Sequence, residues 1–196
     1  MSFRSEYKFR LTISNYLLFK INLFNKGMKR LYPKRTISSI YFDNKNLQSF
    51  RDSEDGIMPR KKFRIRNYSL DLKKNSLFEI KISSAEGRFK KSNLIEEQIR
   101  KKYLKDGYFD NYYGHCLPCI KIEYQREYFL LNNLRVTFDE NIKYKKYLNN
   151  NSIADNENVV EVKSNEKIKF DFIENIFGCR QSRFSKYSRG IIALNK

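Results

Sequence analysis

Charged and apolar residues alternate one by one along much of the chain, and few folds accept that pattern. In EYKFRL, Tyr7, Phe9 and Leu11 fall on one side and Glu6, Lys8 and Arg10 on the other. KFRIRNY sets Phe63 and Ile65 against Arg64 and Arg66, and LFEIKI sets Phe78, Ile80 and Ile82 against Glu79 and Lys81. LRVTFD opposes Leu134, Val136 and Phe138 to Arg135, Thr137 and Asp139, and VVEVKS opposes Val160 and Val162 to Glu161 and Lys163. Side chains of a strand point alternately to its two faces, so each segment predicts a strand with one greasy and one charged face. TISSIYFD, with Ile40 and Phe42 paired, and the longer IKIEYQREYFLL, with Tyr124 and Arg126 on one side, add two more.

Helical spacing appears at residues 14–26, near 45–52, at 93–105 and at 167–176. Ser14 suits the N-cap of the first and Gly27 its stop. The polar, Asn-rich stretch 145–158 reads as a loop. Strands outnumber helices, which predicts an α+β, mainly antiparallel β architecture with helices packed outside. Neither a repeat nor a linker is visible, so one domain over residues 1–196 is expected. Apolar residues at 40% and aromatics at 15% exclude a disordered polyelectrolyte.

A formal charge of +18 and a pI near 9.8 ask for a polyanionic partner: nucleic acid, polyphosphate, a nucleotide or an acidic membrane. Lys outnumbers Arg 25 to 15, yet FRIR, YQR and LRV place Arg at the alternating positions. Arg grips phosphate oxygens in a fixed, two-pronged geometry. An open sheet with one wet face would also alternate. The other arrangement is a closed eight-stranded tunnel barrel with its charge inside, lined by Lys8, Arg64, Arg66, Lys81, Arg126 and Arg135. Such an interior is unfavourable when empty, and a linear polyanion relieves it where a duplex is too wide to enter. Glu6, Glu79 and Glu161 suit either a hard divalent cation or pairing with these cations.

The first residues lack the apolar core of a signal peptide, and no stretch is long enough to span a bilayer, so a cytoplasmic protein without a membrane segment is expected. Cys116 and Cys119 form a C-x-x-C beside His115, but Cys179 is the sole further cysteine, so no structural zinc is expected.

The ordered set EYK, SIYFD, KFRIRNY, LFEIK, GRFKK, LPCIKIEYQREYF, LRVTFD, VVEVKS and RFSKYSRG resembles the polyphosphate polymerase domain of the vacuolar transporter chaperone (VTC) family, one of the triphosphate tunnel metalloenzymes. The resemblance runs in register from about Arg4 to Gly190. It implies an antiparallel tunnel that takes ATP and polyphosphate with Mn²⁺ or Mg²⁺ and passes the γ-phosphoryl group to the growing chain, releasing ADP. By the same resemblance Lys8, Arg64, Arg66 and Lys81 are tunnel cations, and Tyr124, Arg126 and Arg135 form a second phosphate-holding group. Glu161 corresponds to the metal-binding glutamate with Lys163 beside it. Arg183, Ser185 and Lys186 correspond to the phosphate-contacting residues of the closing segment, and Lys90 matches a further lysine.

The CYTH-type triphosphatases of that superfamily begin with Glu-x-Glu-x-Lys, where this chain has Arg4-Ser5-Glu6-Tyr7-Lys8. A cation in the first acidic position favours the polymerase branch. The segment from Phe138 to Val159 is short for the family, and nothing resembles its SPX or membrane regions. Two other functions fit the residues: a tunnel tri- or polyphosphatase, or a noncatalytic module binding polyphosphate or RNA through Lys101, Lys102, Lys105, Lys143, Lys145 and Lys146.

Overall fold

A computed structural model describes residues 5–68, 76–164, 170–178 and 180–195. Ten strands and five helices follow in the order β1 (Ser5–Leu11), α1 (Ile13–Asn25), β2 (Lys29–Asp43), α2 (Gln48–Asp55), β3 (Arg60–Asn67), β4 (Ser76–Ser84), β5 (Gly87–Ile95), α3 (Glu97–Asp106), β6 (Tyr108–Asp110), β7 (Gly114–Leu131), β8 (Leu134–Lys146), β9 (Ile153–Ala154), β10 (Asn158–Ser164), α4 (Phe170–Phe177) and α5 (Lys186–Leu194). The fold is mainly antiparallel β, as the alternation predicts. Hydrogen bonds link the strands in the order β1-β10-β8-β7-β2-β3-β4-β5, with β6 on β7 and β9 on β8. Among the described residues this ladder is a path ending in β1 and β5, so its hydrogen bonds do not close a ring.

The chain divides into two compact units: Met1–Arg35, Tyr124–Ile142 and Ala154–Phe184 make the first, and Thr36–Glu123, Lys143–Ile153 and Ser185–Lys196 the second. In the first unit, the register of β1, β10 and β8 gathers Phe9, Val160, Val162, Val136 and Phe138 on one face. Tyr16, Phe19 and Leu23 of α1 and Ile173 and Phe177 of α4 pack against that face. Rings interlock there, Phe9 stacking on Phe177 at 5.4 Å and Tyr16 meeting Phe138 edge-on at 5.3 Å. Each such side chain contributes about 1.5–3 kcal/mol when fully buried. In the second unit, Phe42, Phe63, Ile65 and Phe78 form the apolar face, with Tyr103 and Leu104 of α3 packed against it.

The N-cap of helix α1 lies two residues earlier than expected. It is Thr12, in extended conformation with its hydroxyl accepting from the Asn15 amide at 3.4 Å, and Ser14 already lies inside the helix. Gly27 ends it at φ +90°, the left-handed conformation that lets the Met28 amide bond back to the Leu23 carbonyl at 3.0 Å. Helix α3 starts only at Glu97, because 93–95 belong to β5. The stretch 145–158 holds the end of β8 and the short β9. Of the expected helix at 167–176, residues 167–169 lie outside the described residues, and α4 covers the rest.

Candidate functional site

Each unit carries, opposite its apolar face, a face of charged side chains. In the first unit, antiparallel register sets Lys8 opposite Glu161 and Glu161 opposite Thr137, and likewise Glu6 opposite Lys163 and Lys163 opposite Arg135. The charges form an alternating string. Lys8 meets Glu6 at 3.0 Å, Glu6 meets Lys163 at 3.5 Å, Lys163 meets Glu161 at 2.6 Å, and Glu161 meets Arg126 at 3.5 Å. Arg126 closes the string by donating through Nε and Nη2 to both oxygens of Asp139 at 2.5 and 2.6 Å. Its guanidinium lies over the Tyr124 ring, 5.4 Å from the centroid. Burial alone would lower the Arg126 pKa, but Asp139 and Glu161 outweigh it and raise it well above normal. Lys8 also donates to the Phe184 carbonyl at 3.0 Å, which ties β1 to the chain just before α5. Arg135 and Arg183 are exposed.

In the second unit the arrangement centres on one carboxylate. Glu79 is fully buried and accepts from Arg64 Nε at 2.6 Å and from Lys90 Nζ at 2.9 Å, with Arg66 Nε at 3.8 Å. Burial would raise the Glu79 carboxyl, yet Arg64, Arg66 and Lys90 prevail and hold it well below the usual carboxylate range. Arg64 further donates to the Tyr41 hydroxyl at 2.8 Å and Arg66 to Ser39 Oγ at 3.1 Å. Arg64 and Arg66 are thus fixed on one side and buried. Next to them in register stand three lysines directly across three strands, Lys62 opposite Lys81 and Lys81 opposite Lys90. The face between β3 and β5 therefore carries Arg60, Lys62, Arg64, Arg66, Lys81, Arg88 and Lys90 against the single Glu79.

Helix α5 joins this face through its first turn. Ser185 caps it, accepting from the Ser188 amide at 3.3 Å and from Lys62 Nζ at 3.0 Å, and Lys186 follows half-buried. Tyr187 stacks on Tyr41 at 5.0 Å and donates its hydroxyl to Asp43 at 2.5 Å. Asp43 in turn accepts the Ser49 and Phe50 amides at 3.0 Å, capping α2. Burial raises the Asp43 carboxyl despite these donors. The helix includes Gly190 because a Cβ there would collide with Ile120 and come within 2.7 Å of Tyr144.

The structure brings together Arg64, Arg66 and Lys90 around Glu79, and Lys8, Lys163, Glu161 and Arg126 along one string. Sequence reasoning did not single out Lys62, Tyr41, Ser39 or Asp139. Arg60 and Lys62 continue the alternating row of Arg64 and Arg66, but the run Arg60-Lys61-Lys62 has no apolar member to mark the period. Cys116 is buried in the apolar core and Cys119 contacts the Tyr41 carbonyl at 3.3 Å. Three positions apart on β7, they point to opposite faces, and burial pushes both thiols up to about 12. Cys179 lies outside the described residues. Among the described residues no helix is long and apolar enough to cross a membrane.

Solved structures with this fold include an adenylate cyclase-like protein of Bacillus halodurans, at TM-score 0.62 and 14% identity, covering 94% of this chain and 96% of that one. An adenylyl cyclase-like protein of Hippeastrum with dominant triphosphatase activity aligns at TM-score 0.59 and 13% identity, covering 96% and 95%. A third, from Vibrio parahaemolyticus, aligns at 0.59 and 12%, covering 97% and 98%. At these identities they establish the fold alone. A search of curated proteins finds no match. The VTC domain model matches residues 3–195, and with strands, charged faces and closing FSK segment in the expected order, the chain belongs to the VTC domain family.

Proposed function

We propose that this protein is a polyphosphate polymerase, transferring the γ-phosphoryl group of ATP to the end of a polyphosphate chain and releasing ADP. The observation that carries the reading is the face of β3 to β5, where seven cations stand against one carboxylate and three lysines lie side by side. Like charges directly opposite on a sheet destabilise it by roughly 0.2–1 kcal/mol per pair, a cost that bound phosphates remove. Membership of the VTC domain family supports this reaction class.

In the transfer, a terminal oxygen of the polyphosphate attacks the γ-phosphorus, and the bond from that phosphorus to the β,γ-bridging oxygen breaks. The attacking oxygen is already ionised at neutral pH, so no side chain needs to take a proton. What remains is alignment and neutralisation. Arg64 and Arg66 are held in fixed orientations by Glu79, Tyr41 and Ser39, which would keep their charge aligned with the phosphates. Arg126 is similarly locked by Asp139. Lys62, Lys81 and Lys90 supply further positive charge, and Ser185 and Lys186 add a hydroxyl and an ammonium at the start of α5.

Among the described residues no group of three His, Cys, Asp or Glu could hold a metal by itself. Glu161, with Glu6 two ion pairs away through Lys163, offers one carboxylate. That donor set fits Mg²⁺ or Mn²⁺, hard cations that bind through one or two carboxylates and take their other ligands from phosphates and water. When bound, the metal would neutralise charge on the phosphate oxygens.

Incubating the purified protein with ATP and Mn²⁺ and resolving the products by size tests the reading. ADP together with acid-stable polymer is the expected result. ADP with orthophosphate alone would make it a tunnel phosphatase, the activity dominant in the Hippeastrum neighbour. Binding of polyphosphate without turnover would make it a noncatalytic module.

A further inference from the structure

Helix α1 is apolar on both sides. Tyr16, Phe19 and Leu23 enter the core, but Ile13, Leu17, Ile21 and Phe24, at spacings of four, four and three, form a second stripe that is exposed by 43–65%. Leu18 widens it at 61% exposure. Beside Leu18 a groove of about 500 Å³ runs between α1 and α4, lined by Asn22, Ile176 and Phe177 among others. A monomer gains nothing by presenting five large aliphatic and aromatic side chains in one stripe, and such patches mark binding surfaces.

Charge selects the occupant. Residues 7–42 contain no Asp or Glu, and from α1 into the exposed start of β2 run Lys20, Lys26, Lys29, Arg30, Lys34 and Arg35. Of these six, Lys20 and Arg30 pair with Glu127 and Lys34 with Glu140. Leu31 and Tyr32 are exposed among them, and Arg35 lies over the Tyr32 ring at 5.6 Å. A second copy would set cations against cations in a symmetric contact. An anionic lipid surface, in contrast, accepts an apolar stripe into its acyl boundary and basic residues at its headgroups. At 13 residues α1 is about 20 Å long, too short to span the hydrocarbon core of about 30 Å, so it would lie in the plane of the interface.

We infer that α1 and the start of β2 dock this protein on anionic membrane surfaces, with Leu17 and Ile21 inserted and Lys26, Lys29 and Arg35 at the headgroups. The absence of tryptophan from the chain makes a direct test available. Leu17→Trp provides a single reporter, and Phe109→Trp, at an exposed position of β6, is its control. With phosphatidylcholine vesicles containing phosphatidylserine, the emission of the Leu17→Trp protein should shift to the blue while that of Phe109→Trp stays put. In sedimentation with the same vesicles, Leu17→Glu/Ile21→Glu should reduce the bound fraction about tenfold more than Phe109→Glu/Leu148→Glu, which changes the charge equally. Equal loss in both double variants, binding without a blue shift at position 17, or no binding to anionic vesicles would each overturn the inference. The last would leave an acidic protein as the partner. Retained thermal stability of the double variants shows that they fold, since neither alters a core side chain.

Discussion

The two charged faces are made by the same device and balanced differently. Both put arginines at alternating strand positions and lock them with a carboxylate that solvent barely reaches, Glu79 for Arg64 and Asp139 for Arg126. In the first unit, Glu6, Asp139 and Glu161 stand among Lys8, Arg126, Arg135 and Lys163, so the face is nearly neutral. In the second, Glu79 is the single carboxylate among seven cations. A nearly neutral string of paired charges suits a fixed geometry, whereas a surplus of cations suits the accumulated charge of a phosphate chain. Locking and surplus are thus separate properties, and substitutions can remove one without the other.

The largest effect is expected where a lock is broken in the balanced unit. Arg126→Ala leaves Asp139 buried without its two-pronged partner, which should cost about 3–5 kcal/mol of stability. Denaturant unfolding measures it. A loss below about 1 kcal/mol would mean that water or another cation satisfies Asp139, and that the string is not what holds this face together.

Next is the lock in the cationic unit. Arg64→Lys keeps the charge but gives up the fork that spans Glu79 and the Tyr41 hydroxyl. Titration with tripolyphosphate should show affinity about tenfold weaker, in line with losing one charge-assisted bond. Unchanged affinity would show that net charge alone holds phosphate there.

How much of this was legible in the sequence follows from the same physics. The faces were, because period-two alternation is a local property: Phe63 and Ile65 against Arg64 and Arg66 can be read without knowing what pairs with β3. The partners of the arginines were not. Tyr41 and Ser39 reach Arg64 and Arg66 only through the register of β2 on β3, which no spacing records. Strand β5 escaped notice because it is exposed along most of its length, so neither face is apolar enough to show a period. Helix α5 escaped because it is nine residues long and carries Gly190 in its interior, a poor helix former kept there by Ile120 and Tyr144. Polar residues of the first turn hid the choice of N-cap between Thr12 and Ser14.

A pH titration separates two buried carboxyls of the second unit. The folded-state pKa of Glu79 lies below its unfolded value of about 4.3, so the unfolded chain binds the extra proton in acid. Its stabilisation is complete above that value and is lost as pH falls toward the folded-state pKa. Asp43, raised by burial, works in the opposite sense, its stabilisation being present at low pH and lost as pH rises through its folded-state pKa. Glu79→Gln should therefore flatten the fall in stability between about pH 5 and about pH 3. An acid limb of unchanged steepness would assign it to other carboxylates.

The smallest effect is the most specific, because it predicts gain and loss in one variant. Lys81 lies between Lys62 and Lys90 in register, and removing its charge should relieve repulsion across both strand pairs. Lys81→Gln is therefore expected to raise the stability of the ligand-free protein by about 0.2–1 kcal/mol while weakening polyphosphate binding and its salt dependence. A surface lysine such as Lys101, exposed on α3, should do neither when changed in the same way. Were Lys81→Gln to lower stability, the three lysines would have to be held by neighbouring acceptors strongly enough to overcome their mutual repulsion. The excess of cations would then be part of the fold's own balance, with no phosphate needed to complete it.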